Sequence, residues 1–272
     1  MLDSLSAGVS GLDAFQQQMD IIGNNIANIN TTGFKAARSD LADSFSDTLE
    51  AATAATSNSL GNNAMQVGTG VTTTAVTNDW SPGAINPTGV STDLAINGNG
   101  FFVVQDPNST TQYVTQDGTF SLNSAGYLVT TTGMQVLDNT GKAIQINNNS
   151  TDTAAMQSYS INTTGVITVN LSDGTSFTRG QLGLQTFQNP QALVSAGENL
   201  YTNMANAGPL AAAGIPGSSG LGTIQSGALE LSNVDLSSEM ADLITAQRAF
   251  EANSKIITTS DELLQDVVNM KR

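Results

Sequence analysis

The sequence contains no cysteine and no histidine among its 272 residues. It therefore lacks disulfides, zinc sites built on those ligands, thiol nucleophiles, and Ser-His or Cys-His dyads. An enzymatic alternative would rest on carboxylates such as Asp93, Asp106 and Asp117, which could in principle support acidic glycosidase chemistry. Because nothing in the sequence fixes these carboxylates as a pair, we expect a protein that is not an enzyme, with no catalytic residue, cofactor or metal.

Lysine and arginine are scarce, with 8 basic residues against 23 acidic ones and a formal net charge of −15. None lies between Arg38 and Lys142. Binding to a nucleic-acid backbone requires clustered Lys and Arg, since the affinity comes from counterion release. Anionic membrane surfaces attract the same residues. We therefore expect no nucleic-acid partner and no membrane insertion.

Long apolar runs are missing too, and no stretch is long enough for a membrane-spanning helix. The first residues, MLDSLSAG, have neither the positive region nor the continuous apolar region of a secretory signal. The sequence therefore predicts a protein that is cytoplasmic or is exported by a route that reads another signal.

Helical periodicity is present at the N-terminal end. Two apolar columns repeat every seven positions and are offset by three, as in a coiled-coil seam. The columns are Leu5, Leu12, Met19 and Ile26, and Phe15, Ile22 and Ile29, with Gly8 in the slot where the second would begin. Gly33 can supply the positive φ that ends a helix. The pattern predicts a helix over residues 4–29.

The C-terminal end has a second seven-residue column. Its members are Leu229, Leu236, Leu243, Phe250, Ile257 and Leu264. The adjacent column is mixed and holds Met240, Gln247, Ser254, Asp261 and Val268. Asn233 and Asp235 are both candidate caps for the start of this helix.

The position of these two helices bears on their role. An amphipathic helix usually packs on its own domain. Two heptad-bearing helices at opposite ends of a chain can meet only if the termini come together, and such a pair needs neighbouring subunits for burial. We therefore predict an assembly interface formed by Leu5, Leu12, Phe15, Met19, Ile22, Ile26, Ile29, Leu236, Leu243, Phe250, Ile257 and Leu264.

Between the ends, short apolar segments alternate with turn signals. Strands are predicted at residues 101–104, 119–122, 127–129, 143–146, 161–169 and 183–187, after turns such as Asn97-Gly98-Asn99-Gly100. Because that turn is followed by a strand and by no lysine, it is not a phosphate loop. Trp80, the single tryptophan, is predicted to anchor the core of this region.

The two periodicities together predict an α+β fold, with an antiparallel all-β middle domain and terminal α-helices that pair in a coiled-coil-like inner domain. Segments rich in small residues, at 50–64 and 205–222, can contribute little to a core and are predicted to connect the helices to the β domain. The predicted parts are an N-terminal helix (1–33), a linker or neck (34–70), a β-rich outer domain (71–204), a flexible return linker (205–228) and a C-terminal helix (229–272).

Two polar features leave alternatives open. Asn24, Asn25, Asn28 and Asn30 could bond to groups of neighbouring subunits, or could simply cap the helix and form turns. Arg248 could pair with an acidic group of another subunit, or could contact Glu251 on its own helix.

Three segments resemble one known family. They are GVSGL at 8–12 with MDIIGNNIANINTTGFK at 19–35, TDLAINGNGFFVV at 92–104, and ELSNVDL at 230–236 with LITAQRAFEANSK at 243–255. In this order and at both ends, they are similar to the N-terminal, central and C-terminal signatures of the flagellar rod and hook family.

The resemblance implies that the terminal helices form the inner tube of a hollow helical homopolymer, with the β domain facing outward. It also implies export through the flagellar type III apparatus without a cleaved signal peptide, and a location in the basal body or hook. Expected partners are copies of the same chain, adjacent rod, hook or junction proteins, and basal-body ring proteins.

Within the family, residues 6–12 are similar to hook proteins, whereas the chain length and single middle domain are more similar to the distal rod. We therefore expect a distal-rod subunit, with a hook subunit as the alternative. A secreted β-rich adhesin or carbohydrate-binding module would fit the middle of the chain but would leave the paired terminal heptads unexplained.

Overall fold

A computed structural model describes residues 2–52, 61–146, 156–202, 204–209, 213–218 and 220–270. Parts of the predicted linkers at 34–70 and 205–228, and of the predicted β-rich domain, lie outside these residues. The chain divides into two compact units. The terminal unit combines Met1–Ala27, Ala37–Asp79 and Asp235–Arg272, and the β unit combines Asn28–Ala36 with Trp80–Val234.

The secondary structure follows the predicted contrast between helical ends and a β-rich middle. The helices are α1 (Leu2–Ala27), α2 (Met204–Ala207) and α3 (Leu236–Met270), with a short 3-10 helix at Pro190–Ala192. The strands are β1 (Ala37–Asp43), β2 (Ser46–Glu50), β3 (Met65–Gly68), β4 (Val71–Asn78), β5 (Ile85–Pro87), β6 (Leu94–Asn97), β7 (Phe101–Gln105), β8 (Gln112–Thr115), β9 (Phe120–Leu122), β10 (Leu128–Thr130), β11 (Gln135–Val136), β12 (Met156–Ile161), β13 (Val166–Leu171), β14 (Ser176–Gln181), β15 (Leu184–Gln185), β16 (Val194–Gly197), β17 (Leu200–Thr202), β18 (Thr223–Ser226) and β19 (Ala228–Glu230).

In the terminal unit, α1 packs along α3, which confirms the predicted pairing of the terminal helices. Of the two candidate caps of α3, Asp235 is the one used. Its Oδ1 accepts a hydrogen bond from the backbone N of Ser237 at 2.9 Å, which satisfies a donor that the first helical turn leaves free. Leu229, which the seven-residue column placed with this helix, lies instead in β19 because the chain is extended until the cap.

The terminal unit also contains a two-stranded ribbon that the sequence did not indicate. β1 pairs antiparallel with β4, and β2 pairs antiparallel with β3. Backbone hydrogen bonds from Ser44 to Gly70 and from Thr69 to Phe45, each 2.8 Å, join the two pairs end to end. Most of its side chains are at least partly exposed, so it has no buried apolar face that would mark a strand in the sequence.

The β unit is built from antiparallel sheets, as predicted. Its largest sheet has eight strands in the order β16-β17-β8-β7-β11-β10-β9, with β15 also paired to β7. A three-stranded sheet follows the order β12-β13-β14, and the pairs β18-β6 and β19-β5 form two further sheets. The predicted β segment 161–169 contains the end of β12, a tight turn closed by Asn162 and Gly165, and the first part of β13.

Neighbouring residues of β7 face opposite sides of the large sheet, as the period of two requires. Phe102 and Val104, both fully buried, join the main core with Leu128 and Ile167. The other face carries a second core that contains Phe101 and Val103.

Aromatic packing completes this second core. Trp80 packs edge-on against Phe101 and Tyr201, with ring centroids 5.2 and 5.0 Å apart. Trp80 is therefore a core anchor, as predicted. Burial raises the pKa of Tyr201 to about 12, so the phenol remains neutral at physiological pH.

Candidate assembly surface

The contact between α1 and α3 runs through small residues. Gly8 and Gly11 are both buried. A Cβ atom added at Gly8 would lie 3.2 Å from Ile257 Cγ1, and one added at Gly11 would lie 2.6 Å from Asn253 Nδ2. The two helices therefore approach more closely than two ordinary side-chain layers would allow. The gap in the sequence column at Gly8 corresponds to this close approach.

On α3, the predicted column at Leu243, Phe250, Ile257 and Leu264 is half-buried. The mixed column that the sequence places beside it is not buried. The members of that mixed column, Met240, Gln247, Ser254, Asp261 and Val268, are all exposed.

The column that faces inward contains Ala246, Asn253 and Ser260, three positions after Leu243, Phe250 and Ile257. Ala246 and Ser260 are 2% and 7% exposed. Asn253 of this column is the residue that lies against Gly11 of α1.

On α1, Ile22 is the most buried of the predicted interface residues, at 5% exposure. Leu5, Leu12, Phe15, Met19 and Ile26 are half-buried. Ile29 falls beyond the end of α1 at Ala27. The inward face of α1 also contains Ala14 and Asn25, which the apolar columns did not include.

Asn25 joins three elements of the terminal unit and is 1% exposed. Its Oδ1 accepts a hydrogen bond from the backbone N of Ala37 at 3.0 Å. Its Nδ2 donates to the Ala37 carbonyl oxygen at 2.8 Å and to Glu239 Oε1 at 3.0 Å. Asn25 thus bonds within its own chain, linking α1, β1 and α3, which neither of its two sequence interpretations described.

Two other polar residues make the local contacts that one of their two interpretations predicts. Asn28 accepts hydrogen bonds from the backbone N and the hydroxyl of Thr31, each 3.1 Å long, so it forms a turn after α1. Arg248 Nη1 lies 2.8 Å from Glu251 Oε2 on the same helix, with both side chains mostly exposed. An exposed pair of this kind contributes only about 0.3–0.5 kcal/mol.

The environment of Glu239 raises the pKa of its carboxyl group. Burial raises the pKa of this carboxyl, the hydrogen bond from Asn25 lowers it, and the negative charge of Asp242 raises it, for a net increase. The ionised form is therefore disfavoured in the folded terminal unit relative to the unfolded chain.

Large apolar side chains remain exposed along α3. Leu236, Met240 and Ile244 form a first strip at intervals of four residues, and Ile256, Leu263, Val267 and Met270 form a second; all are between 40% and 86% exposed. The ribbon adds Leu41, Phe45, Leu49, Met65, Val67 and Val76, of which Phe45 is 86% exposed. Exposed apolar side chains grouped in this way are typical of interaction surfaces.

The carboxylates considered for catalysis each serve a local turn or loop. Asp93 accepts from Thr88 Oγ1 at 2.6 Å, Asp106 from the backbone N of Asn108 at 2.9 Å, and Asp117 from the backbone N of Thr119 at 3.0 Å. Among the described residues, no group of three or more acidic side chains is placed to hold a metal ion. No helix in that part of the chain is both long and apolar enough to cross a membrane.

Comparison with known proteins locates the same three segments. The family models described as "Flagella basal body rod protein", "Flagellar hook protein FlgE/F/G D1 domain" and "Flagellar basal body rod FlgEFG protein C-terminal" match residues 5–35, 95–169 and 225–270. The flagellar basal-body rod protein FlgG of Bacillus subtilis is 44% identical over 272 residues, which is the full length of both chains.

The chain belongs to the FlgG family of flagellar basal-body rod proteins. FlgG of Borreliella burgdorferi is 38% identical over the full length of both chains, and FlgG of Caulobacter vibrioides is 38% identical over 97% of each. The flagellar hook protein FlgE of Helicobacter pylori is 44% identical over 158 residues, or 58% of this chain and 22% of that protein.

Proposed function

We propose that the protein is a structural subunit of the bacterial flagellar axial structure and polymerises into the hollow helical distal rod. The observation that carries the proposal is the end-to-end match with FlgG proteins, which includes both terminal helices and the β unit. A subunit of a rod needs surfaces for other subunits rather than a reactive site. The exposed apolar strips of α3 and of the ribbon supply such surfaces.

A hook subunit is the second candidate, because the match to a hook protein is also 44% identical. That match covers 22% of the hook protein's length. The distal rod is therefore favoured, since its relatives align with this chain from end to end.

Assembly of a rod repeats one screw operation, so that each contact joins different faces of two copies and the array stays open. Each large apolar side chain that becomes fully buried contributes about 1.5–3 kcal/mol, before the entropy of ordering is subtracted. We propose two roles for the predicted interface residues. The half-buried ones along α1 and α3 hold the helix pair together. Leu236 contacts neighbouring copies together with the rest of the exposed strips.

The remaining parts of the proposal follow from family membership. Copies of the same chain, adjacent rod, hook or junction proteins, and basal-body ring proteins are the proposed partners. Export without a cleaved signal peptide is the proposed route, and the basal body is the proposed location. The absence of enzymatic activity, like the division into inner-tube helices, linkers and outer β domain, also remains a proposal.

Electron microscopy of basal bodies tests this function in a strain that lacks the gene. We expect rods that stop short, and full rods when the full-length chain is supplied. Leu263→Asp places a charge on an exposed apolar strip and should leave rods short although the β unit folds. Leu263→Met keeps the strip apolar and should restore full rods.

Three results would contradict parts of the proposal. Normal flagella in the deletion strain would exclude a role in the rod. Complete rods without hooks would identify a hook subunit instead. Full rods assembled from the Leu263→Asp variant would remove the α3 strip from the assembly surface.

A further inference from the structure

A buried ion pair joins the N-terminal and C-terminal signature segments within the β unit. Lys35 Nζ lies 2.7 Å from Glu230 Oε1, and their side chains are 1% and 3% exposed. These residues stand 195 positions apart in the chain. The proposed assembly surface makes no use of this pair, which lies in the β unit.

Backbone groups form further hydrogen bonds with both charged side chains. Lys35 Nζ also donates to the Ser81 carbonyl oxygen at 2.9 Å, and Glu230 Oε1 also accepts from the backbone N of Gly83 at 2.8 Å. Gly83 is needed because a Cβ atom there would collide with the carbonyl oxygen of Leu231. Three chain segments, at 33–36, 81–83 and 230–233, therefore meet around one pair of charges.

Further hydrogen bonds tie the same segments. The backbone N of Gly33 donates to the Glu230 carbonyl oxygen at 2.9 Å, and the backbone N of Ala36 donates to Asn233 Oδ1 at 2.8 Å. The strands beside the pair, β5 and β19, form only a two-stranded sheet of three residues each. Such a short pair has little stability of its own.

The two charges make the docking of these segments interdependent. Transfer of Lys35 from water into this site without Glu230 would leave an uncompensated buried ammonium, and the reverse would leave a buried carboxylate. Loss of either segment therefore destabilises the docked position of the other. The large sheet does not share this dependence, because its cores are built from apolar residues of β7, β8 and β10.

We propose that Lys35 and Glu230 form a latch that docks residues 33–36 and 228–233 onto the β unit in one step. The two segments open and close together, while the large sheet stays folded. Ala36 and Val234 are β-unit residues at the points where the chain continues into the terminal unit. Both connections are therefore either fixed or released at the same time.

Hydrogen exchange on the purified full-length chain tests the latch, with mass spectrometry of peptides covering 33–36, 85–87 and 228–230. Lys35→Met should speed exchange about tenfold or more at all three sites, including the two that do not contain the substitution. Peptides covering Phe101–Gln105 should keep the wild-type rate and serve as the internal reference.

Two further variants complete the design. Lys35→Met combined with Glu230→Leu removes both charges and should exchange more slowly at these sites than either single variant, because no unpaired charge remains. Lys142→Met changes an exposed lysine of the same unit and should leave every rate unchanged.

Either of two results would overturn the latch. Faster exchange confined to 33–36 in Lys35→Met would mean that the two segments dock independently. Equal acceleration at Phe101–Gln105 would mean that the pair supports the whole β unit rather than its two end segments.

Discussion

Asn25 and Glu239 illustrate how a single polar side chain organises the terminal unit. A buried amide with a free donor or acceptor would cost about 1–3 kcal/mol, so Asn25 must find partners for both of its polar atoms. It finds them on the backbone of Ala37 and on Glu239. A carboxylate accepts this hydrogen bond well, but its charge is partly desolvated and lies close to Asp242.

The raised pKa of Glu239 leads to a pH-dependent stability. A carboxyl with a folded-state pKa above its unfolded value of 4.5 stabilises the fold fully below that value and loses this contribution as the pH rises through the folded pKa. Glu239→Gln keeps the oxygen that accepts from Asn25 but cannot ionise. We expect the variant to gain stability relative to wild type as the pH rises from about 4 to 7.

Amide exchange of residues 39–43 and 236–242, measured across that pH range, would report this difference. Glu262→Gln, at an exposed position of the same helix, is the matched control and should follow wild type. A constant difference between wild type and Glu239→Gln at every pH would mean that ionisation of Glu239 does not affect the terminal unit.

At the scale of elements, β6 and the turn before β9 come into backbone contact. The backbone N of Leu94 donates to the Gly118 carbonyl oxygen at 3.1 Å. The backbones of Asp93 and Thr119 form an isolated antiparallel β-pairing. A Cβ atom at Gly118 would collide with the carbonyl oxygen of Leu94. Since neither backbone can move without breaking these bonds, Gly118→Ala should lower the free energy of unfolding by about 2–4 kcal/mol.

Urea denaturation of the β unit, followed by the fluorescence of Trp80, measures this effect. Gly180→Ala provides the comparison, because a Cβ atom there meets nothing within 4 Å. It should change the midpoint little. Similar midpoints for the two variants would show that β6 and the turn can separate without cost.

The sequence predicted elements wherever one face had a distinct apolar pattern. The terminal helices, β7 and β10 follow directly from such patterns. The ribbon formed by β1 to β4 could not be found in this way, because both of its faces are largely exposed. The inward-facing column of Ala246 and Ser260 on α3 was not predicted either, because small and polar residues give no apolar pattern in the sequence.

The buried ion pair could not be predicted from the sequence either. Lys35 and Glu230 both lie in recognised signature segments, yet pairing a lysine with one acidic residue among 23 requires the fold. The close approach of Gly83 to Leu231 and the hydrogen bond of Asn233 to Ala36 likewise exist only in the folded cluster. The sequence could therefore locate the segments but not the contact between them.

For the whole molecule, the two units differ in how much core they contain. Among the described residues of the terminal unit, the buried hydrophobic side chains are Ala14, Ile22 and Ala246. The β unit has two clusters with many large buried residues. In a free monomer we therefore expect rapid amide exchange in α1 and α3 and slow exchange in β7 and β13, with the helices becoming protected on assembly.

Hydrogen exchange on monomer and polymer, compared peptide by peptide, checks this expectation. The β-unit peptides serve as the reference because their protection should be the same in both states. Slow exchange throughout α1 and α3 in the monomer would show that the helix pair is stable without neighbouring copies.

The chain order of the β unit limits how these proteins can exchange parts. Its final strands, β18 and β19, come from residues 223–230 and pair with β6 and β5, while residues 28–36 arrive from the other end. A chimaera that replaced only residues 80–222 with those of a relative would set foreign strands against native partners. The transferable module is discontinuous, and residues 28–36 must travel with 80–234 for it to keep its own contacts.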